Sequence, residues 1–141
     1  MAKRCNLTET NDPKRKLEET VFKNGDWVQK ATATAGTIEP LNPGEPIMGL
    51  CIEDVRATDD NFDTNDRIAV DVQWNEEDRA EMEVTGGTAS VGIEGDSFDV
   101  SAGDSAVLNI AAPGTQFKVT RFISGTLVEV QPMLFKEDLL V

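Results

Sequence analysis

The side chains best suited to hold a cation crowd into one loop. In EDVRATDDNFDTNDRIAVD (53–71), Asp59, Asn61 and Asp63 stand at the first, third and fifth positions of a calcium-binding EF-hand loop. The pattern then breaks, because Thr64 replaces the turn glycine and Val70 the bidentate glutamate. Its flanks are strand-like rather than helical. The stretch reads as a solvated acidic loop, with a weak calcium site of another kind as the alternative. Nucleophilic chemistry has less to work with. The 141 residues contain no His and no Tyr, so no Ser or Cys has an imidazole base. Lys118, alone in the β body far from its ends, falls on the face opposite the apolar one. Carboxylates are plentiful, 26 Asp and Glu in all, and in so acidic a chain most serve solubility. No GxGxxG or GxxxxGK[ST] joins a strand to a helix. Cys5 and Cys51 lie far apart with no CxxC, which predicts two free thiols in a reducing compartment. No catalytic residue, cofactor site or metal site is expected.

The elements that would position any site are β-strands. From Phe22 onward, short apolar runs recur every 8 to 12 residues between turns. The runs are Trp27–Ala31, Ile47–Glu53, Ile68–Val72, Glu81–Thr85, Ala89–Ile93, Phe98–Val100, Ala106–Ile110, Phe117–Arg121 and Leu127–Val130. Turn residues punctuate them at Asn24-Gly25-Asp26, Pro43-Gly44, Gly86-Gly87, Glu94-Gly95-Asp96, Gly103-Asp104, Pro113-Gly114 and Ser124-Gly125. In IAVDVQW, Ile68, Val70 and Val72 share one face; in FKVTRF, Phe117, Val119 and Arg121 lie opposite Lys118, Thr120 and Phe122. No amphipathic helix alternates with these strands. The fold class is all-β: a small β-barrel or β-sandwich (21–141) preceded by an extended N-terminal arm (1–20). Within the arm, Asp12 and Pro13 mark the start of a short helix reaching Glu19 or Thr20. Such a helix is too short to stand alone in water.

Charge separates the two parts. The net charge is −13, yet residues 1–16 carry +3 through Lys3, Arg4, Lys14, Arg15 and Lys16 against Glu9 and Asp12. An acidic body repels phosphate, which argues against nucleic-acid binding. No apolar run nears the ~20 residues of a membrane span, and the N-terminus has no apolar signal core, so synthesis in the cytoplasm is expected. A basic arm on an acidic body suits docking on an acidic protein surface, or serves as a solubilising terminus. Among the aromatics, Phe22 and Trp27 are expected in the core and Trp74 at a strand end in either setting. Phe62, inside a polar loop, is expected as an exposed anchor.

Two resemblances follow. GIEGDSFDVSAGDSAVLNIAAPGTQFKV (92–119) resembles the second half of a cupin, including the GD turn and the PG turn that precedes the metal-binding His; here Gln116 or Phe117 takes that position. With no His to offer, a metal-dependent cupin enzyme is almost excluded. A longer part of the chain resembles the head decoration, or capsid cement, proteins of tailed bacteriophages. The features are VFKNGDWVQKATATAGTIEPLNPGEPIMGLCIEDV from residue 21, then RIAVDVQWNEEDRAEMEVTGGTASVGIEGDSFDV, and the closing FKVTRFISGTLVEVQPML. The resemblance spans about 110 residues and lies in the rhythm of strands and turns.

It implies that the first segment forms the opening strands of a small barrel and the last its closing hairpin. It also implies a non-enzymatic protein on the outer surface of the virion, bridging neighbouring subunits of the shell. Its partners would be the major capsid protein and other copies of itself, a trimer being the first expectation. Contacts would come from Lys3, Arg4, Lys14, Arg15, Lys16 and Phe62. The alternatives are a cupin-like β-barrel enzyme or ligand-binding domain, and a tail- or fibre-associated glycan-binding β domain.

Overall fold

The computed structural model describes residues 2–5, 14–15, 20–56, 58–59, 67–72, 74 and 77–135. The strands, in chain order, are β1 (Lys3–Arg4), β2 (Lys14–Arg15), β3 (Trp27–Lys30), β4 (Ile38–Pro40), β5 (Gly49–Cys51), β6 (Arg67–Ile68), β7 (Val70–Asp71), β8 (Ala80–Thr85), β9 (Ser97–Ser101), β10 (Asp104–Asn109), β11 (Phe117–Ser124) and β12 (Leu127–Pro132). One 3-10 turn, Val91–Ile93, lies between β8 and β9.

Five strands close a barrel. Its neighbours run β8, β10, β9, β11, β12, and β12 pairs back with β8. The β8–β10 pair is parallel and the other four are antiparallel. Strand alternation turns one row of each strand inward. Met82, Phe98, Val100, Leu108, Phe117, Val119, Val128 and Val130 thereby meet in one buried cluster. Each contributes roughly 1.5–3 kcal/mol by leaving water. A barrel this narrow is filled by such side chains, so its interior is a core.

β10 joins β8 only from Glu83 to Thr85. Nearer the start of β8, β1 pairs with it, Lys3 opposite Glu81 and Arg4 opposite Ala80. Ala2 enters the core, 1% exposed, its N–H donating to Gly25 O at 3.3 Å.

A second, antiparallel sheet in the order β4-β3-β5-β7 packs on the barrel. Its two faces have different neighbours. Trp27 and Leu50 join the barrel core, whereas Val28, Cys51 and Val70 face a smaller cluster with Phe22, Ile38, Val55 and Ile68. The expectation for Phe22 and Trp27 holds, and Trp74 is also buried. Ile68, Val70 and Val72 share the small cluster, as their spacing predicts.

Other expectations are corrected. The segment from residue 21 supplies the second sheet rather than the opening strands of the barrel. Ile38–Pro40, not anticipated, forms an edge strand, where proline is tolerated because no partner needs its missing N–H. Residues 89–93 are not a strand. Ser90 O accepts the Ile93 N–H and Val91 O the Glu94 N–H, giving the 3-10 turn; Gly92 inside the run weakens extended pairing. In FKVTRF the alternation holds through Val119 and then slips. A register shift between Val119 and Arg121 sends Arg121 outward to Glu129 at 3.3 Å and Phe122 onto the core. An inserted residue reverses the faces that follow it. The Glu94 carboxylate accepts the Phe122 N–H at 2.8 Å.

The helix expected from Pro13 does not form at Lys14–Arg15. These residues pair with Ile68 and Arg67 of β6, a backbone partner that so short a helix could not outcompete. The remainder of that stretch lies outside the described residues.

Candidate functional site

The Pro113-Gly114 turn works as a positioning device. A Cβ on Gly114 would collide with the backbone nitrogen and carboxylate of Asp99. Asp99 Oδ1 accepts the N–H groups of Thr115 at 2.8 Å and Gln116 at 3.0 Å. Gln116, one of the two residues expected at the position of a cupin's His, is fully buried. Its Oε1 accepts the Val100 N–H at 2.9 Å, and its Nε2 donates to Asn42 O and Glu45 O, each at 2.8 Å. The side chain is committed to tying the barrel to the 42–45 turn. Phe117 packs on Trp27, and Trp27 on Trp74, with ring centroids 5.0 Å apart in both pairs.

The other turn, Gly103-Asp104, borders a half-open cavity of about 440 Å³. Facing it are Val21, Lys23 and Asp26 on the approach to β3 and residues 39–42 after it. Asp26 is held by its surroundings: Gly25 adopts φ 96°, a left-handed turn that favours glycine. The Asp26 N–H donates to Lys23 O at 2.9 Å, and Asp26 O accepts the Cys51 N–H at 2.8 Å. On the neighbouring residue, Asn24 N–H donates to Asp54 Oδ1 at 2.8 Å and holds that carboxyl below its ordinary pKa.

The Asp26 side chain is 3% exposed. Its Oδ2 accepts the Lys23 N–H at 2.8 Å. Its Oδ1 has no hydrogen-bond partner, nor has the buried Ser105 Oγ. Burial raises the Asp26 pKa, outweighing the opposite pull of the Lys23 N–H and the Lys23 charge; Ser105 is near enough to favour the charged form weakly, without hydrogen-bond geometry. At the rim, Lys23 Nζ pairs with Asp104 Oδ1 at 3.3 Å, both side chains well exposed. Glu39 Oε1 accepts from Gln29 Nε2 at 2.9 Å and from the Thr32 N–H at 3.2 Å. The arrangement is an acidic, partly apolar recess.

The residues anticipated for partner contact are spread along the body. Lys3 and Arg4 form β1 on β8, and Lys14 and Arg15 form β2 on β6. Lys16 and Phe62 lie outside the described residues, as do Asn61 and Asp63 of the acidic loop. Asp59 belongs to a local turn, its carboxylate accepting the Arg56 N–H at 2.8 Å. Among the described residues no three His, Cys, Asp or Glu side chains group to hold a metal ion, and no helix is long and apolar enough to cross a membrane. Neither cysteine is in a disulfide; Cys5 is exposed and Cys51 buried. Sequence reasoning missed Asp26 and Ser105, because each sits beside a Gly-containing turn and reads as a turn residue.

No protein-family model, curated protein or solved structure matches the chain.

Proposed function

We propose that this chain is a decoration protein of a tailed-bacteriophage head, a cement on the outer face of the shell. It would bind the major capsid protein, bridge neighbouring subunits, and contact further copies of itself, with a trimer as the simplest arrangement. The observation that carries the reading is Gln116. Of the two residues that could take the metal-ligand position of the cupin-like hairpin, Gln116 is a structural clamp and Phe117 packs in the core, and the barrel behind them is filled with apolar side chains. Such a barrel acts through its outer surface. Repeated docking on a lattice lets a modest contact give firm attachment. Residues 117–132, expected to form a hairpin, are the antiparallel pair β11–β12.

The basic residues of 1–16 would steer docking onto acidic patches of the shell. Deleting the segment is a poor test of that role, because Ala2 is part of the core and β1 pairs with β8. Charge reversal at Lys14, Arg15 and Lys16 tests it better. The experiment is co-sedimentation of the purified protein with heads of the phage that encodes it. Saturable pelleting in fixed ratio to the major capsid protein, weakened by charge reversal, supports cement and arm together. Pelleting indifferent to charge reversal supports cement alone, and no pelleting at excess rejects the proposal.

The alternative of a ligand-binding barrel gains from one observation, the cavity beside Gly103.

A further inference from the structure

We infer that the cavity between Asp26 and the Gly103–Ser105 turn is a binding site for an alkylammonium or alkylguanidinium group. Four observations meet there. The volume, about 440 Å³, lies in the range of small-molecule sites. Three carboxylates line it, Asp26, Glu39 and Asp104, against the single cation Lys23. Two polar atoms of residues that line it, Asp26 Oδ1 and Ser105 Oγ, lack a hydrogen-bond partner although their residues are 3% and 4% exposed. A buried unpaired acceptor is costly, and a ligand donor would satisfy it.

The last observation is the apolar wall. Val21, Pro40 and Leu41 line the same cavity, and Val21 is 47% exposed, one of the few large apolar side chains left so open among the described residues. A wall of this kind beside carboxylates suits a cation on a methylene stem, the stem on the wall and the head at the acids. It does not suit a bare metal ion, which needs several oxygens converging on one point. No such grouping exists among the described residues. Lys23 does not fill the role itself. Its Nζ bridges to Asp104 at the exposed rim, a weak pairing that an incoming cation can displace.

A ligand of this chemistry has two sources: a free amine such as a diamine, or a Lys or Arg side chain of a protein. The inference stands whether or not the chain binds capsids, and its test uses the isolated full chain. Backbone amide resonances are followed by NMR during titration with agmatine, cadaverine, Nα-acetyl-lysine methylamide and Nα-acetyl-arginine methylamide. 1-Pentanol serves as the neutral isostere. The cations should give saturable shifts at the amides of Lys23, Asp26 and Ser105, and pentanol should not. Asp26→Asn should weaken binding at least about tenfold, or 1.4 kcal/mol, with the rest of the spectrum retained. If that variant fails to fold, Ser105→Ala and Asp104→Asn serve the same purpose. Tighter binding of the capped amino acids than of the free amines supports a protein side chain as the ligand; the reverse order supports a free amine. The inference is overturned by no saturable shift up to about 20 mM cation, by equal binding of pentanol, or by binding indifferent to all three substitutions. It is also overturned if calcium ions shift the same amides and displace agmatine.

Discussion

Replacing Asp26 by Asn should make this protein more stable at neutral pH. The wild-type carboxylate is 3% exposed and one of its oxygens has no partner. Leaving a buried polar group unpaired costs about 1–3 kcal/mol. Asn is nearly isosteric: its carbonyl oxygen can keep the Lys23 N–H bond, and its neutral amide buries no charge. The expected gain is about 1–2 kcal/mol at pH 7, a rise in Tm of roughly 3–6 °C for a chain of this size. The pH dependence follows from the raised carboxyl pKa. Above the ordinary value of 3.8 the unfolded chain releases the Asp26 proton first while the native state still holds it. Native stability from this group therefore falls as pH rises through that window and stays low above the folded pKa. The Asn variant has no such loss, so its advantage should vanish below the ordinary carboxyl value, where both chains are neutral at this position. Urea unfolding of both proteins at pH 3.5 and pH 7 measures the difference. A variant that is destabilised at pH 7, or whose effect is the same at both pH values, refutes the reasoning.

Gln116→Ala should cost about 3–5 kcal/mol, because it strips partners from Val100 N–H, Asn42 O and Glu45 O together; a denaturant midpoint close to wild type would show that the clamp is dispensable. Gly114→Ala should cost about 1–3 kcal/mol through its collision with Asp99, measured as a drop in Tm. A thiol reagent at pH 8 should label Cys5 alone in the native protein and both cysteines in denaturant, since Cys51 is fully buried and its pKa is pushed up to about 12; two rapid native labels would contradict the packing. The same shift makes stability fall as pH rises above 9.0, where the unfolded thiol ionises and the native one does not.

How far the fold can be read from the sequence depends on how local each signal is. Ile68, Val70 and Val72 announce a buried face because nothing interrupts their alternation, and the Pro113-Gly114 turn announces itself because close approach demands glycine there. The slip in β11 is invisible for the opposite reason. Phe-Lys-Val-Thr-Arg-Phe is compatible with either face inward after Val119, and the choice is made by β12 and by Glu94, neither of which is local. The edge strand Ile38–Pro40 is three residues long and ends in proline, too short to carry a period. The closed barrel depends on β12 returning to β8, a pairing between segments with no mark of each other. The cavity is hidden in the same way. Asp26 leads into β3 of the second sheet and Ser105 lies in the barrel strand β10, distant parts of the chain that meet only because the second sheet packs against the barrel.

An orphaned polar atom does not by itself mark a binding site, and the molecule supplies its own control. Trp27 Nε1 is also buried without a partner, yet it sits within the Trp27–Trp74 and Trp27–Phe117 contacts and outside the residues lining the cavity. Its cost is the consequence of using a large aromatic side chain to join sheet to barrel: the ring's apolar area outweighs one unmet donor. Asp26 brings no comparable area. Among the described residues the other buried acids, Asp71 and Asp78, have interaction partners. A structural requirement at position 26 would be met by Asn at lower cost. What Asn cannot supply is the negative charge, which beyond its pull on Lys23 has value in this cavity toward an incoming cation. If Asp26→Asn raises stability and abolishes cation binding together, the unpaired oxygen is a cost sustained for recognition. If it raises stability and leaves cation binding intact, the orphan is a packing fault like that of Trp27.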